Sequence, residues 1–138
     1  MPQRRLIIPG RYERIQEVCE FVSRAAEEAG MTEREVFHCQ LAVDEACTNI
    51  IEHAYGGEDR GRIEVMCERG GGQLTIILTD TGAPFDPTTL PEPNPYRAIE
   101  DVGIGGHGLH FMRHAMDTVE FHSGEAGNVL VMTKRKSA

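Results

Sequence analysis

Two long segments near the start of the chain carry apolar residues at helical spacing. The first begins at Tyr12 and stops at Gly30, and its apolar positions are Ile15, Val18, Cys19, Val22, Ala25, Ala26 and Ala29. The second follows a capping box made by Thr32 and Glu35, and its apolar stripe consists of Val36, Cys39, Val43, Cys47, Ile50 and Ala54. A glycine pair at 56–57 closes this segment. The pattern predicts two amphipathic helices.

Alternating apolar and polar residues predict the strands. A short apolar segment from Arg4 to Ile8, ended by a Pro-Gly pair, predicts an edge strand. Residues 62–68 alternate, and three glycines connect them to a second apolar segment at 74–79. Residues 119–122 and 129–133 flank another glycine-containing turn. We therefore predict an edge strand and two antiparallel hairpins.

The segment from Asp80 to Gly108 differs in composition from the rest of the chain, because it contains five of the seven prolines and five glycines. A loop of this length inside a compact domain is usually a functional lid or disordered, and we interpret it as a lid. Leu109 to Met116 then predicts a third helix. The resulting order predicts an α+β fold, a two-layer sandwich of a mixed, mostly antiparallel sheet with three helices on one face.

Length and composition restrict the class of protein. A chain of 138 residues is typical of one domain, which we expect to span residues 1–138. The net charge of −8 argues against a nucleic-acid-binding protein, because that affinity comes mainly from clustered cations. No apolar run approaches the length of a membrane span, and no export signal is visible. Four cysteines without a C-x-x-C pair predict free thiols in a cytoplasmic protein.

The second predicted helix carries polar residues that suit metal chemistry. Glu45, Asn49 and His53 are spaced i, i+4 and i+8, which places them on one face of a regular helix. The amide oxygen of Asn49 is a suitable ligand for Mg²⁺, while the carboxylate of Glu45 stays free to act as a base. On periodicity alone, a solvated helix face is the commoner explanation of such spacing.

A second candidate motif is Asp80-Thr-Gly82-Ala83, directly after a predicted strand. An aspartate at a strand end, followed by a glycine that permits close approach, can accept a hydrogen bond from the amino group of a flat ligand. For this motif taken alone, an ordinary Asp-Gly turn is the commoner explanation.

The third candidate motif is a glycine-rich turn into the third helix. Glycines before a helix present backbone N–H groups and the positive end of the helix dipole to a phosphate. The motif contains Gly103, Gly105, Gly106, His107, Gly108 and Leu109. Its spacing also fits a dinucleotide fingerprint. That fingerprint requires a preceding strand, whereas a proline-rich segment precedes this motif. A zinc site at His107, His110 and His114 is a further alternative, although no general-base glutamate lies between the histidines.

Together the three motifs resemble the N, G1 and G2 boxes of the GHKL ATPase superfamily. More narrowly, residues 44–55, 80–87 and 106–117 are similar to the RsbW-type anti-sigma factor serine-protein kinases. The resemblance covers nearly the whole chain. It implies a Bergerat-type site for ATP and Mg²⁺, with Asn49 on the metal and Glu45 as the base for the acceptor hydroxyl.

The resemblance also assigns the nucleotide contacts. It implies that Asp80 binds the adenine amino group, that Gly82 allows the close approach, and that Gly105, Gly106 and Gly108 surround the phosphates. The remaining implied nucleotide-binding positions are His53, Ala83, Gly103, His107, Leu109 and Asn128. Asn128 departs from the family pattern, which commonly has threonine there. Arg97 is the positively charged residue of the predicted lid.

The same resemblance implies a partner-switching role. The protein would sequester a sigma factor and phosphorylate a serine or threonine of a STAS-type anti-anti-sigma protein, with no nucleic-acid or membrane partner. It also implies a homodimer, for which the first strand offers a free edge. The alternative function is a nucleotide-gated binding module that never transfers phosphate. The presence of Glu45 favours the kinase, because a pure binding module needs no base.

Overall fold

The order of helices and strands is the predicted one. The computed structural model describes residues 3–85 and 112–137. Its strands are β1 (Gln3–Pro9), β2 (Arg62–Gly70), β3 (Gln73–Asp80), β4 (Thr118–Gly124) and β5 (Gly127–Arg135). A 3-10 turn at Tyr12–Arg14 leads into α1 (Ile15–Glu28), and α2 (Glu33–Asn49) continues into a π-helical turn at Ile50–Ala54. Residues 112–115 are helical and belong to the predicted third helix, whose first residues lie outside the described ones.

The five strands form one sheet in the order β1-β2-β3-β5-β4, and each of these neighbouring pairs is antiparallel. β1 lies at an edge, which confirms the edge strand predicted from the sequence. Asp80, the last residue of β3, lies opposite Asn128 of β5. Asn128 in turn lies opposite Ser123 of β4. The register therefore places three polar residues in one row across three strands.

The core lies between one face of the sheet and the helices. α1 packs against α2 and against β1, β2 and β3. The inward residues of β3 alternate with half-buried ones and are Leu74, Ile76, Leu78 and Asp80. The stripe predicted for the second helix is buried throughout, at Val36, Cys39, Val43, Cys47, Ile50 and Ala54. The α+β sandwich is thus confirmed, and Asp80 is the polar last member of an otherwise apolar series.

All four cysteines are free thiols, as predicted. Cys39, Cys47 and Cys67 are buried, whereas Cys19 is only partly buried and its thiol lies 3.8 Å from the Gln40 carbonyl oxygen. Burial raises the pKa of Cys19 to about 11 and that of Cys67 to about 12. These thiols therefore stay protonated and unreactive near neutral pH. In the described part of the chain, no helix has the length and apolar character needed to span a membrane.

The predicted capping box is present at the start of α2. The Glu35 backbone N–H donates to the Thr32 hydroxyl at 3.2 Å, and the Thr32 backbone N–H donates to Glu35 Oε1 at 2.8 Å. The other oxygen, Oε2, accepts from the backbone N–H of Ser137 at 2.9 Å and from its hydroxyl. These bonds, led by that from the Ser137 hydroxyl, lower the pKa of Glu35 to about 2. One carboxylate thus joins the start of α2 to the segment after β5.

We expect Glu35→Gln to lower the thermal unfolding midpoint by a few degrees at pH 7. A pKa lowered in the folded state stabilises the fold above the unfolded value of 4.5, and this stabilisation is lost as the pH falls through about 2. The difference between wild type and variant should therefore shrink between these two pH values in thermal melts. Glu33→Gln removes the same charge from the same turn and is the control. A difference that is constant with pH would contradict the prediction.

Candidate active site

The polar residues of α2 include three buried atoms that have no hydrogen-bond partner among the residues that the structure describes. Asn49 is 2% exposed, and neither its Oδ1 nor its Nδ2 has a hydrogen-bond partner within residues 3–85 and 112–137. The same holds for Oε2 of Glu45, which lies one helical turn before Asn49. Buried polar groups are nearly always satisfied, because leaving them unpaired costs about 1–3 kcal/mol each. Unpaired atoms on two neighbouring turns therefore indicate a site for a polar ligand.

The environment of Glu45 favours the protonated carboxyl group. Burial is the main cause, and the negative charges of Asp44 and Glu52 add to it, so that the pKa of Glu45 rises to about 7. A general base works best when its pKa lies near the working pH. Glu45 is therefore suited to accept a proton at neutral pH.

The helix changes its hydrogen-bonding pattern directly after Asn49. In the turn Ile50–Ala54 the Tyr55 N–H donates to the Ile50 carbonyl at 3.0 Å, a spacing of five residues. The wider turn rotates His53 away from its position in a regular helix, and the histidine is exposed while Asn49 is buried. Asn49 and His53 thus differ in exposure, and the implied role of His53 at the nucleotide stays a prediction. The alternative of a solvated face is wrong for Asn49.

The loop after β3 is fixed to the end of this helix. The Ala83 N–H donates to the Ala54 carbonyl at 2.7 Å. A Cβ added at Gly82 would lie 2.6 Å from the carbonyl carbon of Ala54. Gly82 is thus required for packing on the helix, and its implied role in the close approach of a ligand stays a prediction. The contact brings the strand-end motif next to the turn that follows Asn49.

Tyr55 makes a second connection between the same two elements. Its hydroxyl accepts a hydrogen bond from the Thr81 N–H at 3.0 Å and donates to the carbonyl of Arg62. Its ring fills the space beside Gly61, where an added Cβ would lie 2.2 Å from the ring carbon Cε1. Sequence reasoning assigned no role to Tyr55, because helical periodicity does not indicate which residue after a helix will reach another loop.

Asp80 is buried at the end of β3 and is hydrogen-bonded through Oδ1. This oxygen accepts from the Gly82 N–H at 2.9 Å and from Nδ2 of Asn128 at 2.9 Å. Burial raises the pKa of Asp80, and the two hydrogen bonds oppose that shift. The bond from Gly82 is the local Asp-Gly turn that the sequence left open. The bond from Asn128 belongs to the sheet and is not explained by a turn.

Asn128 is fully buried and uses its whole amide group. Besides Asp80, Nδ2 donates to the carbonyl of Ala83 at 3.1 Å, and Oδ1 accepts from the hydroxyl of Ser123 at 2.8 Å. Sequence reasoning did not single out Ser123. The signal was available, because pairing the hairpin outward from Gly124 and Gly127 places Ser123 opposite Asn128.

His53 and Phe85 form the remaining contact of this region. The two ring centroids are 5.8 Å apart, and Phe85 also lies 5.0 Å from the ring of Phe121 on β4. His53 is thus placed beside the loop after β3 through its ring. Phe85 belongs to the segment 80–87 that carries the family resemblance, and the sequence indicates no role for it.

Several predicted residues lie outside the described ones. These are the cation of the predicted lid and the glycine-rich motif with its neighbouring histidine, namely Arg97, Gly103, Gly105, Gly106, His107, Gly108, Leu109 and His110. Their assignments stay predictions. Within residues 3–85 and 112–137, no three histidine, cysteine or acidic side chains are grouped as metal ligands.

Comparison with known proteins identifies the family. The family model of the histidine kinase-like ATPase domain matches residues 8–134. The serine-protein kinase RsbW of Listeria monocytogenes serotype 4a is 37% identical over 117 residues, which cover 82% of this chain and 74% of that protein. The serine/threonine-protein kinase BtrW of Bordetella bronchiseptica is 31% identical over 101 residues, covering 73% and 71%.

Solved structures agree on the fold. The structure of the RsbU and RsbW domains of Rv1364c from Mycobacterium tuberculosis matches with a TM-score of 0.72 at 17% identity, covering 100% of this chain and 33% of that one. The catalytic domain of the histidine kinase ThkA matches with a TM-score of 0.54 at 16% identity. The sequence matches show the family as well as the fold. This chain belongs to the histidine kinase-like ATPase family and, within it, to the protein serine/threonine kinases of the RsbW type.

Proposed function

We propose that this kinase uses Mg-ATP and acts as a partner-switching anti-sigma factor, with residues 1–138 forming one ATP-binding kinase domain. The observation that carries the proposal is the pair of Glu45 and Asn49. The pKa of Glu45 lies near neutrality, and its Oε2 and the buried amide of Asn49, one turn later, both lack a partner in the described parts of the chain. Phosphate transfer to a hydroxyl requires a base and a metal ligand, which Glu45 and Asn49 would supply.

The residues present fit a magnesium ion. The unpaired Oδ1 of Asn49 would hold the ion, since Mg²⁺ prefers hard oxygen ligands and keeps several waters and phosphate oxygens. When bound, the ion supplies positive charge that offsets the charge of the transferring phosphate. A chain with a net charge of −8 needs such a cation to hold ATP.

The chain's own residues then have distinct tasks. Glu45 takes the proton of the acceptor hydroxyl as that oxygen bonds to the γ-phosphorus and the bond between the γ-phosphorus and the bridging oxygen of ADP breaks. Asp80 accepts a hydrogen bond from the adenine amino group. The N–H groups of Gly105, Gly106 and Gly108 donate to the phosphates. Positioning and charge stabilisation of this kind account for most of the catalysis in phosphate transfer.

The partners follow from the kinship with RsbW proteins. The protein binds a sigma factor and phosphorylates a serine or threonine of a STAS-type antagonist in the cytoplasm, where free thiols persist. A homodimer forms through the free edge of β1, where Ile7 is 39% exposed. Sedimentation velocity over a range of concentrations tests the dimer, and a monomer throughout would exclude it.

The function is tested by incubating the protein with Mg-ATP and each STAS protein of the same organism, followed by mapping of phosphorylated residues. We expect one serine or threonine to be modified, and EDTA to abolish the reaction. Nucleotide-dependent binding of a STAS protein without phosphate transfer would instead favour the nucleotide-gated binding module. A protein that binds no ATP would contradict both functions.

A further inference from the structure

A row of three polar side chains crosses the sheet where β3 ends. Ser123, Asn128 and Asp80 lie directly opposite one another on β4, β5 and β3. The Ser123 hydroxyl donates to Asn128 Oδ1 at 2.8 Å, and Asn128 Nδ2 donates to Asp80 Oδ1 at 2.9 Å. Asn128 and Asp80 are 1% and 2% exposed. The bond between them is therefore protected from competition with water.

The surroundings allow only one orientation of the Asn128 amide. Its NH₂ group faces two acceptors, Asp80 Oδ1 and the Ala83 carbonyl, and its oxygen faces the hydroxyl of Ser123. Reversing the amide would place an oxygen against both acceptors. The two acceptors thus fix the orientation of the Asn128 amide, and the Ser123 hydroxyl, which can donate or accept, adds a hydrogen bond to its oxygen.

This arrangement also gives the two carboxylate oxygens of Asp80 different hydrogen-bonding environments. Oδ1 accepts from both Asn128 and the Gly82 N–H, and these donors favour the ionised carboxylate over the protonated form. Oδ2 takes part in neither bond. A carboxylate held in this way presents one defined oxygen to a ligand.

We propose that Asn128, held by its hydrogen bonds to Ser123 and to the Ala83 carbonyl, is a positioning residue that sets the base selectivity of the nucleotide site. It holds Asp80 so that Oδ2 meets the exocyclic amino group of adenine. The inference rests on the proposed function, and it predicts that Asn128 acts on the amino group of the nucleotide through Asp80. A role in folding alone would affect every nucleotide equally.

The test compares the binding of ATP with that of purine riboside triphosphate, which lacks the 6-amino group. In Asn128→Leu, we expect ATP affinity to fall about tenfold or more, as for loss of a hydrogen bond to a charged group. Affinity for the analogue should change by less than about twofold. Asn128→Thr retains a hydroxyl donor and should recover part of the selectivity. Calorimetry of the full chain gives all of these dissociation constants.

Two further variants separate positioning from folding. Ser123→Ala alters an exposed residue, so it should fold, and it should weaken ATP binding selectively by a few-fold. Thr118→Val removes the cross-strand hydroxyl pair with Thr133 at the other end of the same hairpin and should leave the selectivity unchanged. Equal weakening of both nucleotides, or no weakening of either, overturns this inference alone. Failure of the wild type to bind either nucleotide overturns the proposed function as well.

Discussion

Replacing Glu45 by glutamine is expected to lower the rate of phosphate transfer by about 10²- to 10⁴-fold, the usual contribution of a general base. Glutamine keeps the size of the side chain and its place on α2, but it cannot take up the proton of the acceptor hydroxyl. Nucleotide affinity should change little. Single-turnover transfer to the STAS partner measures the rate, and calorimetry measures the affinity.

The pH dependence of the transfer rate tests the role of Glu45 independently. The carboxylate must be ionised to act as a base, so the wild-type rate should rise as the pH passes through about 7, the pKa of Glu45. Asp44→Asn removes a negative charge that raises this pKa and should move the profile to lower pH. Near wild-type transfer by Glu45→Gln, with an unchanged profile, would show that Glu45 is not the base.

Replacing Asn49 by leucine is expected to have opposite effects on stability and on function. The amide is buried without a partner in the described residues, so an apolar side chain of similar size removes a cost of about 1–3 kcal/mol. The free energy of unfolding without ligands should therefore stay equal or increase. Mg-dependent ATP binding should be lost, because the variant has no oxygen for the metal. Urea denaturation and calorimetry measure the two effects.

Thr48 provides the matched control for Asn49. It is a neighbouring buried polar residue of α2, but its hydroxyl donates to the Asp44 carbonyl at 2.9 Å. Thr48→Val should leave Mg-ATP binding intact without increasing stability. If Asn49→Leu were strongly destabilised and still bound Mg-ATP, Asn49 would be a structural residue and not a metal ligand.

The arrangement of helices and strands could be predicted because each has an apolar stripe or alternation. Periodicity could not predict that Asn49 is buried, since a polar residue at the margin of a stripe is compatible with either side. It also could not predict the π-helical turn at Ile50–Ala54, because it assumes 3.6 residues per turn.

Only part of the site at the end of β3 could be predicted from the sequence. Asp80 and Gly82 were identifiable because a carboxylate and a glycine follow an apolar strand. The packing of Gly82 on Ala54 could not be predicted, because it depends on a contact between distant segments. The bond between Asn128 and Asp80 depends on how β5 pairs with β3, which pattern reasoning within one hairpin does not give.

The π-helical turn constrains the length of the chain as well as its composition. Removing one residue from Ile50–Ala54 would let a regular helix continue, but every later residue of the helix would turn by about 100° and move by about 1.5 Å. The Ala54 carbonyl would then no longer meet the Ala83 N–H, and the ring of Tyr55 would leave its place beside Gly61. Within this segment, relatives should therefore tolerate exchanges of side chains much more readily than gaps.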